Sequence, residues 1–130
     1  MINKKLQTVH VITNHMSRQL DAIFVKINSV LISISNNINN TLDDLADNLI
    51  KDFTSFDKMI NVGLVKMNKD GNLGIDKQIK ELQNILKQMK TKVFYVRIYV
   101  EEGDEASLKV VAKDYMEDIK KFRAILEELK

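Results

Sequence analysis

From Met16 to Met67 apolar residues return at helical spacing, in a chain without proline whose first glycine is Gly63. Met16, Leu20, Ile23, Ile27, Val30 and Ile34 alternate steps of four and three residues, the a/d rhythm of a coiled-coil seam. After Ile38 the rhythm changes. Leu42, Leu45, Leu49, Phe53, Phe56, Ile60, Leu64 and Met67 include paired four-residue steps, closer to an eleven-residue repeat. A stripe this long has to be covered, either by later helices of the same chain or by further copies of it.

The first section runs to about residue 62 and admits one long helix or a helical hairpin. Ser33, Ser35, Asn36, Asn37, Asn39 and Asn40 compete for backbone hydrogen bonds and form helix poorly. Thr41 followed by Asp43 and Asp44 resembles a helix start, with a capping hydroxyl and carboxylates near the positive end of the dipole. Ile34, Ile38 and Leu42 nonetheless keep a common face across the doubtful stretch. An unbroken helix over 5–62 would be about 85–90 Å long, wider than a compact domain of this size. Two helices meeting at an asparagine-rich turn near 36–41 are the preferred reading.

Gly63, Gly71, Gly74 and Gly103 punctuate the remainder. The link 63–76 reads GLVKMNKDGNLGID, and Asn68, Lys69, Asp70 and Gly71 make a turn in which Gly71 is free to take positive φ. Its flanks suggest a short β-hairpin at 64–75. Asp76 then reads as the cap of a helix whose apolar face is Leu82, Leu86, Met89, Val93 and Val96.

Residues 92–100 are ambiguous. Their β-branched and aromatic density suits a strand, with Phe94, Val96, Ile98 and Val100 on one side. Val93, Val96 and Val100 equally extend the helical stripe, and helix is the preferred reading. Gly103 and Asp104 mark a stop and a restart. The last helix carries Leu108, Val111, Tyr115, Ile119, Phe122, Leu126 and Leu129 on one face. The fold expected is mainly α, a helical bundle in a single domain over 1–130, with helices over 77–102 and 104–130.

Composition narrows the function more than it identifies it. Hydrophobic residues make up 45% of 130, aromatics only 6%, so the core must be built from Ile, Leu, Val and Met. Met16, Met59, Met67 and Met89 fall on the seams, where methionine fills gaps. With no cysteine, disulfides and thiolate metal sites are excluded. Net charge is +2, but basic and acidic excess alternate along the chain: residues 1–40 and 61–100 are basic, 41–60 and 101–130 acidic. Such blocks suit antiparallel docking or subunit stacking better than one continuous nucleic-acid groove.

Lys4 and Lys5 precede a stretch too polar for a signal-peptide core, and the uncharged run 27–41 is too diluted to span a membrane. The expected location is therefore cytoplasmic, or a particle assembled inside the cell.

No catalytic constellation is visible. His10 and His15 are five apart and off a common face, short of a zinc ligand set. No histidine is placed to activate Ser17, Ser29 or Ser107. Asp43, Asp44 and Asp47 suit a helix first turn. In the link, Lys66 and Lys77 occupy the first and twelfth places of a would-be calcium loop, where carboxylates are required. GNLG lacks the lysine and hydroxyl of a phosphate loop. No enzyme, cofactor, metal or small-molecule substrate is expected.

Two functions remain. The first is a non-enzymatic structural or assembly protein, such as a subunit of a viral, phage-like or secretion particle. It would form a homo-oligomer or dock into a larger complex through the seam Met16, Leu20, Ile23, Ile27, Val30, Ile34, Leu42, Leu45, Leu49, Phe53, Phe56 and Ile60. The second is a helical subunit of a nucleoprotein complex. There Lys77, Lys80, Lys87, Lys90, Lys92 and Arg97 would track phosphates while Phe94, Tyr95 and Tyr99 stack on bases.

Overall fold

Helical spacing without proline makes the first helix long. In the computed structural model α1 spans Ile2–Ser35 and α2 spans Asn40–Lys58. The structure describes the backbone of residues 2–35 and 40–129, and the side chains of 4, 6–29 and 47–129. The expected asparagine-rich turn falls between α1 and α2, and its residues 36–39 lie outside those described. The side chains of Thr41, Asp43 and Asp44 lie outside them too. That the two helices fold back on one another is plain from their cross-links. Lys26 pairs with Asp52 at 2.5 Å, and the Ser55 hydroxyl donates to Gln19 Oε1 at 3.5 Å.

Beyond Lys58, α2 widens into a π turn over Met59–Leu64 and closes with one α-helical turn, Val65–Met67. The sequence reason is the spacing of Phe56, Ile60 and Leu64. Two successive four-residue steps would carry the stripe about 80° round a 3.6-residue helix. The wider turn takes up that drift, and Ile60 and Leu64 both stay fully buried.

The expected β-hairpin at 64–75 is not there, and no strand occurs among the described residues. The segment remains helical to Met67, passes through a short 3₁₀ turn at Lys69–Gly71, and reaches the next helix. The reason is Asn68, buried at the helix end. Its amide donates to Asp76 Oδ1 at 2.7 Å, and its Oδ1 accepts from the Leu73 amide at 3.0 Å. The turn therefore closes on its own side chain rather than on a strand ladder. Gly71 does take positive φ, 70°, and a Cβ there would lie 3.1 Å from Asp76 Oδ2. Asp76 is the first residue of its helix rather than its cap; its carboxylate serves the turn instead.

Helix α3 spans Asp76–Glu102, so the ambiguous 92–100 is helix throughout. Val93 and Val96 join the core, and Val100 packs against it. Gly103, at φ 66°, ends α3, with the Asp104 amide donating to the Tyr99 carbonyl at 2.9 Å. Asp104 then caps α4, Glu105–Glu128, accepting from the Ser107 amide at 3.1 Å and the Ser107 hydroxyl at 2.7 Å. Those two bonds, the hydroxyl's first, hold the Asp104 carboxyl below its ordinary value.

The four long helices make an up-and-down bundle. Ion pairs Lys90–Asp57 and Arg97–Asp47 join α3 to α2 with opposite chain direction. Lys92–Asp118 joins α3 to α4, and Arg123–Asp21 joins α4 back to α1. Across the diagonal, Phe53 stacks on Tyr115 with ring centroids 6.4 Å apart, and Phe56 on Phe122 at 5.3 Å. One hydrophobic cluster includes residues from all four helices. Met16 and Met89 lie inside it, while Met59 and Met67 pack at its edge.

Candidate docking face

Met16, Leu20, Ile23, Ile27, Leu49, Phe53, Phe56 and Ile60 are at most 2% exposed, all within the core of the single chain. The side chains of Val30, Ile34, Leu42 and Leu45 lie outside the described residues. The apolar stripes of α1 and α2 thus face α3 and α4, and their described members offer no free surface to a second copy. For these eight residues, this corrects the assignment of the seam as an intermolecular one. Four apolar helical faces turned inward satisfy one another.

The basic stretch is divided by the fold. Lys90, Lys92 and Arg97 turn toward neighbouring helices and pair with Asp57, Asp118 and Asp47. Lys77 lies 3.9 Å from Glu81 on its own helix. Lys80 and Lys87 are exposed without an ion-pair partner among the described residues. A phosphate-tracking row of six cations is therefore not assembled. Charges already neutralised by carboxylates release few counterions on binding a polyanion.

Of the aromatics in that stretch, Tyr99 packs partly against the core and stacks on Tyr95 at 6.2 Å. Phe94 points the other way and is 73% exposed, more than any other large apolar side chain described. Helical geometry puts Lys80, Lys87, Phe94 and Ile98 on the side of α3 opposite Leu82, Met89, Val93 and Val96. Phe94 also leans toward α2. With Ile50, Phe53, Thr54, Lys90 and Val93 it lines a shallow, mainly apolar cleft of about 280 Å³. Ile50 and Ile98 are each about two-fifths exposed. The α2–α3 face thus has an apolar centre, and the paired Asp57–Lys90 and Asp47–Arg97 bridges join the two helices along it.

This face was not among the surfaces expected from the sequence. The signal was present: Phe94 and Ile98 fall off the 93–96–100 stripe once that segment is taken as helix.

His10 and His15 are exposed, and among the described residues no cluster of three histidine, cysteine or acidic side chains could hold a metal ion. Asp47 is engaged with Arg97. The buried Tyr115 hydroxyl donates to the Met89 carbonyl at 2.7 Å. Burial, reinforced by the nearby Asp118 charge, pushes that phenol far above its ordinary pKa, so it serves as a fixed donor. Among the described residues no helix is long and apolar enough to cross a membrane.

No protein-family model, curated protein or solved structure matches the chain.

Proposed function

We propose that this chain is a non-enzymatic assembly protein that docks into a larger complex through the outer face of α3 beside α2. The observation that carries the reading is the exposure of Phe94, 73% and the highest of any large apolar side chain described, with Ile98 and Ile50 at its sides. An aromatic left in water on a rigid helix forgoes roughly 1.5–3 kcal/mol of burial that a partner would recover. Docking is by helix packing against this face; the long N-terminal stripe serves to build the bundle. Nucleic acid is the weaker reading, because half of its proposed contacts are neutralised within the bundle.

The test is a photo-crosslinking residue placed at Phe94 and, as control, at Val11, which is 67% exposed on α1. In the cell that makes the protein, position 94 should give discrete adducts and position 11 none, with the attached peptide identified by mass. Equal labelling at both positions would remove the face from consideration.

A further inference from the structure

We infer that the occupant of the α3 face is a second copy of this chain, docked antiparallel about a two-fold axis near Phe94. This rests on the docking reading above and names its partner. Lys87, Phe94 and Glu101 are seven residues apart in each direction. A heptad drifts only about 20° round a helix, so the three lie within about 40° of arc. Along the axis each charge stands about 10.5 Å from the ring.

A two-fold contact is self-complementary: where residue i meets j, j meets i. Laying Phe94 on Phe94 of the copy brings Lys87 of each chain opposite Glu101 of the other, twice over, with Glu102 alongside. The apolar centre is then Phe94 and Ile98 from both copies, widened by Ile50.

The charges that matter are those not already engaged. Lys90 and Arg97, beside Phe94 in the same helix, are paired with Asp57 and Asp47. Lys87, Glu101 and Glu102 are exposed and have no ion-pair partner among the described residues. What remains uncompensated along α3 is therefore basic on one side of Phe94 and acidic on the other. A parallel copy would set like charges together. A partner of one sign, an acidic peptide or a nucleic acid, would suit Lys87 and be repelled by Glu101 and Glu102. The antiparallel copy satisfies both ends.

The experiment is sedimentation velocity on the purified full chain at micromolar to sub-millimolar concentration. A reversible dimer is expected. Lys87→Glu alone, and Glu101→Lys with Glu102→Lys alone, should each weaken it by about tenfold or more, since each sets like charges opposite one another. All three changes together should restore the dimer, because every copy then carries the exchanged pair. Phe94→Asp should abolish the dimer with the helical circular dichroism unchanged, as the side chain lies outside the core.

A chain that stays monomeric throughout, or a triple variant no better than the two partial ones, overturns the two-fold pairing. If position 94 still crosslinks to a different protein in the cell, the docking reading stands and only the choice of partner has failed. Absence of adducts at position 94 removes both.

Discussion

Phe56 of α2 stacks on Phe122 of α4 across the bundle diagonal, their ring centroids 5.3 Å apart and their planes 18° from parallel. Adjacent helices are tied at the rim by ion pairs, but α2 and α4 are not neighbours, and these rings are among what holds the diagonal closed. Both are fully buried. Phe122→Ala should cost about 3–5 kcal/mol, read as a shift in the urea midpoint. The double variant with Phe56→Ala should fall short of additivity by about 0.5–1.5 kcal/mol, the coupling of the stack. Strict additivity would mean that the rings do not act as a pair.

The α3–α4 contact contains two polar links of unlike worth. Tyr115→Phe deletes the hydroxyl that reaches the Met89 carbonyl, a net loss of about 1 kcal/mol. Lys92→Met leaves Asp118, only 4% exposed at its side chain, without its cation, and should cost about 1.5–3 kcal/mol. Asp118→Asn in the Lys92→Met background should recover part of that loss. Chemical denaturation of the four proteins gives the comparison, and an unchanged stability on adding Asp118→Asn would contradict it.

Asp104 gives the cap of α4 a pH dependence whose sign is determined. Its folded pKa lies below the unfolded one, because the Ser107 hydroxyl and amide donate to the charged form. The contribution is therefore full above the unfolded carboxylate range and is lost as pH falls through the folded value. Asparagine caps without titrating. Melting curves from pH 7 down to about pH 2 should show wild type losing more stability than Asp104→Asn across the acid limb, the difference arising below the usual aspartate pKa. Parallel curves would mean that the cap bond is not made.

Gly103 ends α3 at φ 66°, a conformation that costs a side chain about 1–2 kcal/mol. Nothing lies within 4 Å of where its Cβ would be, so the penalty of Gly103→Ala is conformational alone. Gly71→Ala should cost more, since its Cβ would also press on Asp76 Oδ2 and disturb the Asn68 bridge. Thermal denaturation ranks the two.

A labelled single-stranded oligonucleotide should show no saturable anisotropy change at physiological salt. Saturable binding that falls steeply with salt and disappears in Lys80→Glu with Lys87→Glu would reinstate the nucleic-acid reading.

Much of the bundle was legible because its signals are local. The stripes of α3 and α4 and the stop at Gly103 with its restart at Asp104 all lie in spacing and turn chemistry a few residues long. The hairpin at 64–75 misled because glycine and asparagine mark a turn without saying what flanks it. A buried asparagine amide, tied to a carboxylate eight residues on, kept the chain helical up to the turn. The 92–100 segment was open between strand and helix, and the preferred reading, helix, is what forms. β-branched residues lean toward strand, and burial of Val93 and Val96 in the shared core overrode that preference.

Periodicity and turn residues, which depend on neighbours in the chain, determined that this protein is helical, where the later helices begin and end, and that its core is aliphatic. Tertiary structure alone decided that the described members of the long seam are covered from within, that Lys90, Lys92 and Arg97 are paired, and that Phe94 meets Ile50 of α2 across a cleft. Those outcomes depend on which helix stands beside which, because a side chain's burial and a charge's partner are supplied by residues remote in sequence.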